Sequence, residues 1–197
     1  MRECRLRPRV ALCHREELDP GPSGDWTQLN DDDFRALASR LSDQADEGPL
    51  WVFAYGSLIW KPALESIEQR RASAYGWHRS FCMKMTRWRG TKQSPGLMMA
   101  LDRGGQCKGV AFRLNGGDRR QALDRLFRRE MTLKPTSYRP RLLQLATDKG
   151  PLRALAFVIN RKGTTYAGPL NEDEVVERLA TSCGHWGSGA DYLYNTV

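Results

Sequence analysis

Glu130 is a carboxylate on a helical face that is otherwise apolar. It follows Leu123, Leu126 and Phe127 by seven, four and three residues, so all four side chains share one side of a helix. Burial raises a carboxyl pKa, and a Glu tuned toward about 6 to 7 is suited to moving protons. The same placement also suits a structural ion pair with Arg128, Arg129 or another arginine, or a rim position at the helix end. The second feature is Tyr55-Gly56-Ser57-Leu58. Glycine lets the chain turn sharply and approach a ligand closely, and successive N–H groups in such a turn can cradle a carboxylate. A plain strand-to-turn junction has the same sequence signature.

Other chemistries find no residues. His14, His78 and His185 lie far apart, outside any H-E-x-x-H arrangement. Cys4, Cys13, Cys82, Cys107 and Cys183 are odd in number and scattered without a C-x-x-C pair, which indicates neither a disulfide framework nor a zinc site. G-x-S-x-G, Walker and G-x-G-x-x-G motifs are absent. The expectation is a site with no metal and no cofactor.

Several elements must position these residues. Leu50-Trp-Val-Phe-Ala-Tyr55 reads as a buried strand that Gly56-Ser57 stops. Further strands are expected over 79–87, 97–101, 108–114, 138–146 and 153–160, most of them separated by Gly or Pro. Asp118 to about Met131 reads as the helix carrying Glu130, and Asn171 to Cys183 as a second helix opening with Asn171 and Glu174 in capping-box spacing. Upstream, Asn30 and three aspartates suit a helix start, with Phe34, Leu37 and Leu41 at helical spacing behind them. Strands dominate without βαβ alternation, predicting a mixed α+β domain around a curved or closed sheet. The expected organisation is a basic, Pro/Gly-containing extension over 1–25, an amphipathic helical lead-in over 26–49 and a domain over 50–197.

The 197 residues, 40% hydrophobic and 27% charged, are ordinary for one globular domain. Apolar runs are strand-sized, far short of the roughly 20 residues of a membrane helix. The short apolar stretch behind the basic N-terminus does not make a signal-peptide core. The expectation is a cytoplasmic protein with reduced thiols and no membrane partner. The net charge of +8 attracts anions, but the arginines are dispersed, so a small anionic substrate is expected rather than nucleic acid.

Trp51-Val-Phe-Ala-Tyr-Gly-Ser-Leu-Ile-Trp-Lys-Pro62 resembles the opening signature of the ChaC family of γ-glutamylcyclotransferases. Gly76-Trp-His-Arg-Ser-Phe-Cys82, Arg89-Gly-Thr91, Pro95-Gly-Leu97, Cys107-Lys-Gly-Val-Ala-Phe-Arg-Leu114 and Arg129-Glu-Met131 followed by Tyr138 fall in the family's order and spacing. The likeness spans roughly residues 50 to 195. Two departures are Ala54, where a Gly is frequent, and Thr132–Ser137, where a Gly-Tyr pair is common soon after the glutamate.

The resemblance implies a small mixed β-barrel flanked by helices, γ-glutamylcyclotransferase-like. It implies that Ala54, Tyr55, Gly56, Ser57, Leu58 and Ile59 form the substrate loop, that Tyr138 lies near the γ-glutamyl group and that Glu130 is the proton acceptor. The implied reaction cyclises the γ-glutamyl group of glutathione to 5-oxoproline and releases Cys-Gly. The alternatives are other γ-glutamyl amino acids or amines as substrates, or a non-catalytic binding or regulatory module on the same fold.

Overall fold

The computed structural model describes residues 18–22, 24, 26–45, 48–61, 65–115 and 117–196. Most of the expected extension over 1–25 lies outside the described residues.

The described chain forms two compact units. The first, Trp26–Ser80 with Ala100–Asn160, is organised by a closed barrel. Its strands are β2 (Trp51–Ala54), β3 (Ser66–Met85), β4 (Gly96–Leu114), β6 (Tyr138–Thr147) and β7 (Leu152–Ile159), in the order β2-β4-β3-β6-β7. β2 runs antiparallel to β4, with Ala54 opposite Val110, and parallel to β7, with Val52 opposite Leu155. β6 and β7 are antiparallel from Tyr138↔Ile159 to Leu145↔Leu152. β7 also meets β4 in parallel at Leu101↔Val158, which closes the ring.

Period-two alternation divides the apolar residues of these strands between two cores. Trp51, Phe53 and Tyr55 point to one side with Ala72, Ala74, Ala111, Ala154, Ala156, Leu101 and Val158. Apart from Tyr55 at the strand exit, that cluster holds strand residues and no helix residues, so it is the barrel interior, and its five alanines suit the narrow bore of a five-stranded barrel. Val52, Ala54, Phe112, Leu155 and Phe157 point the other way, onto helices. Both faces of β2 and β7 are therefore covered, which is why each reads as an unbroken apolar run rather than an alternating one.

The helices on the outer face are α1 (Asp31–Gln44) and α3 (Arg119–Glu130). α1 begins with a capping box: Asn30 Oδ1 accepts from Asp33 N–H at 2.9 Å, and Asp33 Oδ2 accepts from Asn30 N–H at 3.0 Å. Its Phe34, Ala38 and Leu41 meet Leu123, Leu126 and Phe127 of α3 in the outer core. α1, expected as a lead-in ahead of the domain, belongs to the same compact unit as the barrel. The short strands β1 (Thr27–Gln28) and β5 (Leu133–Lys134) pair antiparallel beside it.

The second unit contains Phe81–Met99 and the chain from Arg161 onward. Met83 bridges to Tyr166, Lys84 N–H donates to Thr165 O at 2.8 Å, and Arg89 Nη1 donates to Ser188 O and pairs with Asp191. α4 (Glu172–Thr181) carries the expected Asn171/Glu174 capping box. β8 (Cys183–Gly184), β9 (Gly187–Ser188) and α5 (Gly189–Thr196) follow. These last three, and the first half of β3, have no counterpart among the sequence expectations.

Candidate active site

β2 delivers the Tyr55 turn to the rim of the barrel. Val52, Phe53 and Ala54 are fully buried, and the strand ends because Tyr55 and Gly56 leave the ladder to enter a single helical turn, α2 (Ser57–Trp60). Opposite the exit stands Gly109. A Cβ there would lie 2.3 Å from Ala54 O and 2.8 Å from the Phe53 ring, so only glycine lets β4 approach this closely. A Cβ on Gly56 would meet nothing within 4 Å: the backbone borders open space, where a ligand can come near.

Ile59 N–H donates to Gly56 O at 2.8 Å and Lys61 N–H to Ser57 O at 2.8 Å. Ile59 therefore spends its N–H on the turn itself, while the N–H groups that open α2 have no acceptor within it. Leu58 is buried in the outer core, and Ile59 and Trp60 are exposed. Tyr55 is buried, and its hydroxyl donates to Phe157 O at 2.6 Å, fixing the turn to β7.

α3 delivers Glu130. Asp118 caps the helix, accepting from Arg120 N–H at 2.9 Å, and Leu123, Leu126 and Phe127 lock one face into the outer core. Glu130 is the last helical residue, and its side chain is 13% exposed. Burial pushes its carboxyl above the usual range, and the positive charge of Arg129 partly offsets that. Glu130 is thus largely enclosed, and Arg129 Nε lies 3.1 Å from its Oε1. Arg128 turns away to Asp124 and Asp31.

Tyr138, on the first residue of β6, packs against the same outer core as Ala54, Leu58 and Phe127. Its ring meets Phe157 at 6.1 Å, and Phe157 meets Phe127 at 6.0 Å, both edge-on. Ala54, Leu58 and Tyr138 of the expected site therefore share one cluster, whereas Tyr55 belongs to the barrel interior and Ile59 is exposed. The polar link is Arg129, whose Nη2 donates to Lys61 O at 2.5 Å while Nε faces Glu130. The sequence reading offered Arg129 only as one possible ion-pair partner of Glu130 and gave it no link to the turn. Adjacent residues on a helix point about 100° apart, so nothing in the spacing signalled that its side chain curls back.

The arrangement offers a largely enclosed carboxyl whose pKa is pushed upward, a turn with N–H donors, and open space beside Gly56. Among the described residues no three His, Cys, Asp or Glu side chains gather as a metal site needs.

The fold and sequence have known counterparts. The glutathione-specific gamma-glutamylcyclotransferase of Escherichia coli (strain K12) is 38% identical over 161 residues, covering 81% of this chain and 69% of that protein. The glutathione-specific gamma-glutamylcyclotransferase 1 of Mus musculus is 31% identical over 183 residues, covering 89% of this chain and 74% of that one. A crystal structure of a glutathione-specific gamma-glutamyl cyclotransferase from yeast superposes with a TM-score of 0.66 at 19% identity, covering 75% of this chain and 85% of that one; at that identity the likeness speaks for the fold. The family model for ChaC-like protein matches residues 50–197, and the chain belongs to that family.

Proposed function

We infer that this protein is a glutathione-specific γ-glutamylcyclotransferase. The relatives supply the substrate, and the observation that carries the chemistry is the buried carboxyl of Glu130, pushed upward by desolvation, at the end of the helix whose neighbouring residue reaches the substrate turn.

In glutathione the α-amino group of the γ-glutamyl residue attacks its own γ-carbonyl carbon. A C–N bond forms within a five-membered ring, the C–N bond to cysteine breaks, and the products are 5-oxoproline and Cys-Gly. The nucleophile belongs to the substrate, so the protein's task is to hold a reactive conformer and relay protons. The amine arrives protonated. Glu130, as carboxylate, accepts a proton from the attacking nitrogen and returns one to the departing cysteine nitrogen, a two-way role worth on the order of 10² to 10⁴ in rate. A raised pKa serves both halves, because the group must be basic enough to accept and acidic enough to donate.

N–H groups of Gly56, Ser57 and Leu58 receive the glutamyl carboxylate or the developing oxyanion. Ala54 and Ile59 shape that turn, Tyr55 anchors it to β7, and Tyr138 lines the γ-glutamyl side.

A cytoplasmic setting and a small-molecule partner, without nucleic acid or membrane, complete the reading. Among the described residues no helix is long and apolar enough to cross a membrane, and the charge of +8 favours capture of an anionic tripeptide.

The test is incubation with reduced glutathione followed by mass spectrometry. Equal amounts of 5-oxoproline and Cys-Gly are expected from wild type. Turnover of γ-glutamyl-alanine but not glutathione would move the assignment to other γ-glutamyl compounds, and no turnover of either would leave the binding-module alternative.

A further inference from the structure

Arg129 is committed in two directions at once. Its Nε faces Glu130 Oε1 at 3.1 Å and its Nη2 donates to Lys61 O at 2.5 Å. Lys61 closes α2, its own N–H returning to Ser57 O at 2.8 Å. The side chain is 22% exposed, and its Nη1 is buried without an acceptor among the described residues. We propose that Arg129 is a positioning residue that fastens the Glu130 carboxylate to the end of the substrate turn, so that base and turn move as one body. The inference rests on the reading of Glu130 as the base.

The geometry favours arginine specifically. Two consecutive helical residues diverge, so the contact with Glu130 exists only because the Arg129 side chain folds back over the helix end. A planar guanidinium presents several N–H donors in a fixed fork and can serve a carboxylate and a carbonyl together. A lysine supplies the charge without the fork.

The charge has a second effect. Among the described residues, Arg129 is the charged group whose field acts on the Glu130 carboxyl. Arg128 is occupied by Asp124 and Asp31, and Lys134 by Asp33. Tyr55, Lys61 and Tyr138 are further ionisable side chains on the neighbouring segments, Arg139 and Arg141 follow on β6, and Arg119, Arg120 and Arg125 lie on α3 itself; of the charged groups Arg129 is the one whose field shifts the Glu130 carboxyl. Removing the Arg129 charge therefore leaves desolvation unopposed and raises the Glu130 pKa further.

Wild type, Arg129→Met and Arg129→Lys, all full length, separate these effects. Three measurements are made: carbon-13 titration of the Glu130 carboxyl, assigned with Glu130→Gln; hydrogen exchange over Ser57–Lys61; and the pH profile of kcat/KM for glutathione. In Arg129→Met the titration midpoint and the acidic limb both move to higher pH, amide exchange over the turn accelerates, and kcat falls on the order of 10²-fold from misplacement. In Arg129→Lys the midpoint stays near wild type while KM rises and exchange still accelerates. If Arg129→Met does not fold, Arg129→Gln takes its place. A folded variant with unchanged titration and unchanged exchange overturns the proposal. If wild type makes no 5-oxoproline, the functional reading fails by itself, and titration and exchange still decide whether Arg129 couples the two elements.

Discussion

Asp33 and Glu130 are carboxylates at opposite ends of two packed helices, and their surroundings treat them in opposite ways. Asp33 lies in the first turn of α1, where the N-terminal dipole favours a negative charge. The Lys134 ammonium at 2.7 Å, and then the Asn30 N–H, hold its carboxyl below the usual range. Glu130 closes α3, at the end where carbonyl oxygens accumulate, and burial pushes it the other way. A carboxylate made comfortable stabilises the fold; one left in discomfort is available to take a proton.

The comparison breaks most visibly in catalysis. Glu130→Gln keeps the shape but not the proposed proton acceptor, so glutathione turnover should fall by about 10² to 10⁴ with an unchanged circular dichroism spectrum. Turnover at the wild-type rate would end the assignment. Gly109→Ala tests the turn from its other side. The added methyl has no room against Ala54 O and the Phe53 ring, so stability should drop by about 1 to 3 kcal/mol in urea, with turnover falling as the turn is displaced.

On the Asp33 side, Asn30→Ala removes half of the capping box. It should cost about 1 kcal/mol of stability while kcat stays at the wild-type value, because α1 supplies none of the proposed site residues.

The subtlest effect is the pH dependence of unfolding. Asp33, with its folded pKa depressed, contributes stability that is present above the unfolded pKa and lost as pH falls through the folded one. Glu130, with its folded pKa raised, is opposite: its protonated form is favoured in the fold, so its contribution is present at low pH and lost as pH rises through the folded pKa. Denaturation midpoints should therefore fall off more gently toward acid in Asp33→Asn, and toward neutral pH in Glu130→Gln. Equal slopes in both variants and wild type would erase the distinction.

Much of this was legible before the fold was known. The apolar run from Leu50 to Tyr55, the Asn30 and Asn171 caps and the face shared by Leu123, Leu126, Phe127 and Glu130 are local patterns, and the structure contains each. The first half of β3 was not legible. Its buried residues are the small Ala72 and Ala74, while its large ones, Ile67, Tyr75 and Trp77, are exposed or half-buried, so the segment lacks the regular large-apolar alternation by which strands are recognised. β4 was read as two strands around Gly104-Gly105, yet the ladder continues through both despite their positive φ. α2 is too short for any periodicity to reveal.

The sequence alone determined the residue types at the site, because glycine at a turn and a carboxylate on an apolar face are anomalies against local patterns of period two and 3.6. Only the tertiary structure decided that Ala54, Leu58, Phe127 and Tyr138 share one core and that Arg129 joins Glu130 to Lys61. Barrel closure brings together segments distant in the chain, and the direction of a long side chain depends on which acceptor the fold places within its reach.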